Sequence, residues 1–464
     1  MRRPSAALVL GLVALAAAAC SPQRALAPRL TSQVVETPTP AIPPGAVGNG
    51  PSLSAEQGLS LVAHAYNLIL GQYVDLVEPV SLMRAALEGE FAALPAGQPQ
   101  PEMPTFVGNN PGADTNRFGR AYLEAANAAG PGIERQAALT HAAIRKMAAS
   151  AGDCHTVFSD PAQMTDQAAR TQGDVRFGGV GIRIKRPPNE PLLVYELLDG
   201  GSASKAGVKP GDAVLKVDGY DTTSLPLDQV ANLIRGREGT QVKLTIQRAE
   251  GKKVQDVTLK RVSVVEPVFQ SKWLAGNVAY LRLNSFSKAG EVQLLDTIRS
   301  FEARNPKGWV IDLRTNGGGE LSAVLSIMSK FLKDGPFGYE VDRQGRRAAF
   351  GPDGSYLPRQ HPLVVLVSDS TASGAELFAA AVQHYRAGTV VGNKTAGCAG
   401  IANRFPLEDG SGLSVTVEKL LGPAGEELNK AGVRPRETVE VSRADLAAGK
   451  DPPLQRALSL LGTK

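Results

Sequence analysis

PLVVLVSDSTASGAELFAAAVQHYR, residues 362–386, decides the fold of the C-terminal half. Five apolar residues run without alternation from Leu363 to Val367. That is the pattern of a strand buried on both faces of a parallel sheet. A sharp turn of small residues follows, and then a helical period from Ser373 to Arg386. Ser373 therefore stands at a helix start, where backbone N–H groups lack intrahelical partners and can face a developing oxyanion. Ser373-Gly374-Ala375-Glu376 also fits a capping box, in which the serine merely caps the helix and Glu376 reciprocates. Taken alone, the segment leaves nucleophile and cap as open alternatives.

Working outward, strands alternate with helices. Asn277–Leu283, Gly308–Leu313 and Thr389–Val391 read as strands, and Gly290–Arg304 and Glu320–Leu332 as helices, with two further strands at Asn403–Leu407 and Leu413–Lys419. This texture predicts an α/β core over 268–464 with a mainly parallel sheet covered by helices. IDLRTNGGGE, residues 311–320, ends one core strand in three glycines, which let a backbone approach a ligand closely or simply open the next helix. Ligands of open parallel sheets bind beyond the carboxyl ends of strands, so this loop and the Ser373 turn can face one crevice.

The other regions differ in texture. Residues 172–264 are short β runs with turn signals, such as VGIRIKR and VKLTIQR, broken by helical stretches at Ser202–Ala206 and Leu227–Arg235. Residues 55–170 show helical periods, including Gly58–Tyr73, Pro79–Leu94 and Ile133–Ala151, interrupted by the loop PAGQPQPEMPTFVGNNPGADT. Residues 21–54 are rich in Pro, Gly, Thr and Ala and read as an extended tether. In residues 1–20, Arg2 and Arg3 precede an apolar stretch that ends in Ala17-Ala18-Ala19-Cys20, the pattern of an export signal. The small residues before Cys20 resemble a bacterial lipobox, whose Cys receives lipid; a simple cleaved signal with an incidental Cys is the alternative. The chain is thus expected to be exported and anchored to a membrane by lipid, in the periplasm or on the cell surface.

The chain has 464 residues, 43% hydrophobic and 20% charged, which is globular and sized for several domains. Its net charge of +5 is spread along the length, with no run of basic residues interleaved with aromatics, so nucleic acid is not an expected partner. Cys154 and Cys398 remain after Cys20; they either pair, as exported thiols can, or stay apart as small buried side chains. No Cys or His spacing suggests a metal, and no cofactor is expected.

Gly201–Gly219, GSASKAGVKPGDAVLKVDG, resembles the signature of a PDZ domain, and Gly179-Val180-Gly181-Ile182 its carboxylate-binding loop. A PDZ-like module, then DLRTNGGG, then STASGAE, GNKTAGCAG and Gly432-Val433-Arg434-Pro435, resembles the C-terminal processing (tail-specific) serine peptidases over residues 59–441. The resemblance implies Ser373 as nucleophile, oxyanion-hole amides from Gly374 and from Gly317 or Gly318, and polypeptide substrates held by free C-termini. One departure matters. The family activates its serine with a Lys that falls here on Cys398. Lys394 lies four residues away, about 13 Å along a strand, too far for a base. The tricorn-like branch of the superfamily instead places a catalytic His in the region of Gly152-Asp153-Cys154-His155-Thr156. His155 is accordingly the expected general base, oriented by Glu427, Asn429 or the nearer Asp153. The alternative is a catalytically degenerate homologue that only binds C-terminal peptides.

Overall fold

The computed structural model describes residues 53–464 except 96, 99, 131, 166–174, 188–189, 224, 226, 252, 358–360 and 464. The expected export signal, Cys20 and nearly all of the tether lie outside the described residues. Among the described residues no helix is long and apolar enough to cross a membrane.

Four helices open the fold: α1 Ala55–Gln72, α2 Pro79–Ala92, α3 Pro111–Ala128 and α4 Ile133–Ala149. Ser54 starts α1, its hydroxyl taking the Gln57 N–H and Gln57 answering on the Ser54 N–H. The start of α3 differs from expectation. The expected loop runs to Thr115, yet Asn110 accepts the Ala113 N–H at 3.1 Å and Pro111 takes the first helical position, where its missing N–H costs nothing.

The helices do not form a free-standing bundle. Val62, Ile69, Ile144 and Met147 share one apolar core with Leu407, Leu413 and Val415. These last residues flank or belong to the hairpin β17 Gly400–Pro406 and β18 Gly412–Leu421. After α4 the chain adds strand β1, Val157–Ser159, antiparallel to β18, with Val157 opposite Ser414. The turn carrying His155 is thereby clamped between a helix and this hairpin.

Next comes the small β module. Strands β3 Ile182–Lys185, β4 Leu193–Leu197, β5 Ala213–Val217, β7 Gln241–Gln247 and β8 Val254–Lys260 form one sheet, with the short β6 Tyr220–Asp221 on β5. β2 Val175–Gly179 pairs with β9 Val262–Glu266. Helices α5 Ser202–Lys205 and α6 Leu227–Ile234 complete it around Val180, Val194, Val214, Leu244 and Ile246. Arg282, on the core, makes a two-pronged ion pair with Glu196 of β4 at 2.6 and 2.7 Å.

The core sheet runs β10 Phe269–Leu274, β11 Val278–Leu283, β12 Gly308–Asp312, β15 Leu363–Val367, β16 Thr389–Gly392, β19 Glu437–Thr438. Every pairing from β11 to β19 is parallel, and β10 alone is antiparallel. Alternate side chains serve two cores, as strand geometry requires. Trp309, Ile311 and Val365 face α7 Lys288–Glu302, α8 Leu321–Phe331 and α9 Gly374–His384; Val310, Val364 and Leu366 face Ala457 of α11, Pro452–Leu460. A five-residue helix, α10 Arg443–Ala447, precedes α11. A second, antiparallel sheet joins β1 and the expected strands β17 and β18 to a hairpin that the sequence did not reveal, β13 Gly338–Asp342 with β14 Arg347–Phe350. The half-exposed strands of that hairpin carry little apolar alternation.

Candidate active site

Neighbouring strands β12 and β15 end side by side, Asp312 opposite Leu366, and their loops are stitched together. Ser368 Oγ donates to the Arg314 carbonyl at 2.6 Å, Thr371 Oγ1 to the Leu313 carbonyl at 2.8 Å, and the Ala372 N–H to the Asn316 carbonyl at 3.0 Å. Below them Asp312 is fully buried, accepting Tyr280 Oη at 2.6 Å and the Arg314 guanidinium at 2.7 and 3.0 Å. Burial opposes its charge, but the adjacent Arg314 overrides that and holds the carboxyl well below the usual range.

Ser373 follows with φ +54° and ψ −123°, a backbone that side chains rarely adopt and that costs about 1–3 kcal/mol. Its N–H donates to the Cys398 carbonyl at 2.8 Å and to Glu376 Oε2 at 3.0 Å. The Glu376 N–H goes to the Ser373 carbonyl at 2.8 Å; the hydroxyl lies near the same N–H without a cap bond of its own. The Glu376 arm of the box is closed, and the half-buried Ser373 hydroxyl stands at its other end, beside the Glu376 N–H. Gly318 packs on it: a Cβ there would stand 2.7 Å from Ser373 Cβ, and its φ is +101°.

Peptide planarity fixes which amides face outward. The Ser373 carbonyl points down α9 to the Glu376 and Leu377 amides, so the Gly374 N–H points out of the helix start. The Gly318 N–H is already engaged by Asn316 Oδ1 at 2.8 Å. Among the described residues the Gly317 N–H has no partner. Of the two glycines that the sequence left open, Gly317 offers the free amide.

His155 arrives from the helical region. Asp153 Oδ1 accepts the His155 and Thr156 amides, each at 2.7 Å, and the Thr416 hydroxyl at 3.0 Å, which locks the turn onto β18. Cys154 and Cys398 form a disulfide with Cα atoms 5.8 Å apart, so the paired alternative is the one found. His155 Nδ1 lies 3.3 Å from Cys154 Sγ and 3.7 Å from Cys398 Sγ. Burial pushes the imidazole below its ordinary value, against the opposing pull of Asp153 and Glu376. Among the described residues no hydrogen bond joins the ring to Ser373 Oγ; resting catalytic contacts are often long and tighten on substrate binding.

Glu376 is the residue whose reach the sequence did not disclose. Fully buried, it accepts Ser373 N–H and Cys398 N–H on Oε2, and Thr395 Oγ1 (2.5 Å) and Gly397 N–H (2.8 Å) on Oε1. One carboxylate holds both the Ser373 turn and the Cys398 loop. The capping-box spacing was its only signal.

The expected orienting residues are corrected by position. Glu427 is exposed, and its recorded electrostatic neighbour is Lys419. Asn429 uses its carbonyl on the Ala431 N–H, in a segment that supports Gly397 through Lys430. Among the described residues neither side chain bonds His155, because the segment approaches by its backbone. Asp153 is spent on amides and threonine hydroxyls. Lys394 is exposed. His64 and His141 pair with Glu408 (2.7 Å) and Asp409 (2.6 Å), away from this site.

In the β module, the Val180 and Gly181 carbonyls turn inward to the Ala203 and Leu198 amides, both at 2.9 Å. Planarity then turns the Gly181 and Ile182 N–H groups the opposite way. A cavity of about 760 Å³ opens there, between β3 and α6, lined by Val180, Ile182, Leu227 and Ala231. It continues to Arg314 and Ser370, on the two loops beside Ser373.

Residues 277–439 match peptidase family S41, and residues 171–247 match the PDZ domain. The carboxyl-terminal-processing protease of Synechocystis sp. is 34% identical over 330 residues, 69% of this chain and 77% of that protein. The carboxy-terminal processing protease CtpA of Bacillus subtilis is 30% identical over 304 residues, 65% of this chain and 64% of that protein. Among solved structures, the photosystem II D1 C-terminal processing protease aligns with a TM-score of 0.58 at 25% identity, covering 88% of this chain and 98% of that one.

Proposed function

The chain belongs to peptidase family S41 and is a serine peptidase carrying a PDZ domain; from that premise we propose that it is an exported, lipid-anchored endopeptidase that selects polypeptides by their free C-termini and cleaves them through an acyl-enzyme on Ser373. The observation that carries the catalytic reading is the meeting of two turns on one residue: Cys398 receives the Ser373 N–H on its carbonyl and touches His155 with its sulfur.

In this reading the disulfide replaces the orienting carboxylate of a triad. The ring nitrogen beside the sulfurs, Nδ1, carries the proton as a weak N–H···S contact, which leaves the Nε2 lone pair for Ser373. His155 takes the hydroxyl proton as Oγ bonds to the scissile carbonyl carbon. The Gly374 and Gly317 amides receive the oxyanion. Collapse of the adduct breaks the C–N bond, and His155 returns its proton to the leaving amine. Water then hydrolyses the ester by the same exchange. Burial keeps the imidazole neutral and so competent as a base near neutral pH.

The outward amides of Gly181 and Ile182 would bind a substrate carboxylate while the peptide adds a strand to β3, and the cavity leads from there toward Ser370. Export and anchoring rest on the residues before Cys20. The alternative of a catalytically degenerate homologue that only binds C-terminal peptides finds no support, since the similar proteins are named proteases. The test is cleavage by the full chain of one unfolded polypeptide with either a free or an amidated C-terminus. A fall in kcat/KM of at least about tenfold on amidation is expected; equal rates would remove C-terminal selection from the account.

A further inference from the structure

The Cys154, His155 and Cys398 side chains bring their donor atoms within 4.8 Å of one another. As residues 244 positions apart in sequence supply the two sulfurs, no spacing pattern could reveal the cluster. We propose that reduction of the Cys154–Cys398 disulfide turns this corner into a binding site for one thiophilic divalent cation, Zn2+ or Co2+, held by both sulfurs and His155 Nδ1, and that the bound cation switches His155 off.

The spacing already suits a metal. In a tetrahedral zinc site with Zn–S about 2.3 Å and Zn–N about 2.0 Å, neighbouring sulfur and nitrogen donors stand about 3.5 Å apart. Nδ1 lies 3.3 and 3.7 Å from the two sulfurs. On reduction only the sulfurs have to part. The backbones that carry them are fixed independently of the disulfide: Asp153 holds the His155 and Thr156 amides, Glu376 holds the Cys398 N–H, and Ser373 holds the Cys398 carbonyl. Such outer hydrogen bonds keep ligands oriented for a metal. Cys154 is exposed and the other two are half-buried, so a cation can enter and a water can fill the fourth position.

The chemistry balances. A dithiol reductant gives two electrons and two protons to the disulfide, yielding two thiols and the oxidised reductant. Cation binding then displaces both thiol protons. The cation takes the Nδ1 lone pair, so the one remaining ring proton must sit on Nε2. A ring in that state has no lone pair for the Ser373 hydroxyl. The silencing arm rests on His155 being the base proposed above; the binding arm does not.

The full chain, oxidised or reduced and freed of excess reductant, is titrated with Co2+ while thiolate-to-metal charge-transfer absorption is followed, and with Zn2+ while hydrolysis is followed. Expected are one Co2+ per reduced chain with that absorption, none in the oxidised chain, and none in Cys154→Ser/Cys398→Ser, which lacks the disulfide and the thiolates alike. Cys20 is common to all three forms and cancels. Stoichiometric Zn2+ should lower hydrolysis by the reduced chain about 10²–10⁴-fold, reversibly with a chelator, and spare the oxidised chain. Absence of the absorption from the reduced chain, or its equal presence in the double variant, would overturn the site. Metal binding with undiminished hydrolysis would instead remove His155 as the base and with it the silencing.

Discussion

The Ser373 N–H donates to the Cys398 carbonyl at 2.8 Å, so Cys398, at the position where the family resemblance leads one to expect a lysine, supports the serine through its backbone. Glu376 braces both ends of that bond. All four of its contacts come from donors, which a carboxylate satisfies and an amide cannot. In Glu376→Gln the side-chain NH2 must face two of them. We expect a loss of about 1–3 kcal/mol in stability and a larger fall in kcat than in KM. Denaturant melts and steady-state kinetics on the same preparation check this; an unchanged kcat would contradict it.

His155 and Lys394 are separable. His155→Ala should lower kcat about 10²–10⁴-fold, whereas Lys394→Ala, at an exposed position, should leave it within about twofold. For pH the sign is fixed by the working form: the neutral ring is the base, and burial lowers its protonation range below 6.5. The kcat/KM profile should therefore rise from acid with its midpoint below about pH 6.5. An acid limb centred above that value, or a reversed mutational pattern, would assign the proton to another group.

Gly318→Ala tests the packing of the two loops. Its new Cβ would stand 2.7 Å from Ser373 Cβ on a backbone with φ +101°. Ser373 must move, and we expect kcat to fall at least about 100-fold, the scale of losing an oxyanion donor. A Gly318→Ala enzyme with near-normal kcat would show that Ser373 is not held as described.

Glu90 gives a stability prediction remote from catalysis. Both its carboxyl oxygens are buried without a partner, and burial pushes its pKa up to about 9. The folded chain then holds a proton that the unfolded chain releases near 4.5. Stability is fully present below that lower value and declines as pH rises toward 9, by roughly 3 kcal/mol at pH 7. Glu90→Gln should flatten the decline, matching the parent at about pH 4 and exceeding it at about pH 8 in urea midpoints. Parallel pH curves would refute the assignment.

What the sequence disclosed follows from range. Leu363–Val367 and Gly308–Asp312 are uninterrupted apolar runs beside glycine-rich turns, and such local signals predict strands and their loops well. The meeting of Ser373 with the Gly317–Gly318 turn followed from strand ends alone. Local signals failed where one residue serves two partners. Glu376 spaces correctly as a cap, and nothing nearby says that it also grips Thr395 and Gly397. Glu427 has the right chemistry but points to solvent. The disulfide was open because adjacency to His155 does not tell which way Cys154 points. Strands β13 and β14 escaped notice because half-exposed, charged strands lack an alternating pattern.

The central claim is that Ser373 is an activated nucleophile and not a helix cap. Fluorophosphonate labelling of the oxidised full chain, followed by peptide mapping, tests it most directly, with Ser373→Gly as control. Glycine tolerates the φ of +54° and should keep the fold, gaining up to about 1 kcal/mol from relieved strain. The account predicts one label, on the peptide containing Ser373, lost in Ser373→Gly and strongly slowed in His155→Ala. An unlabelled parent chain, or a label that persists in Ser373→Gly, would contradict it.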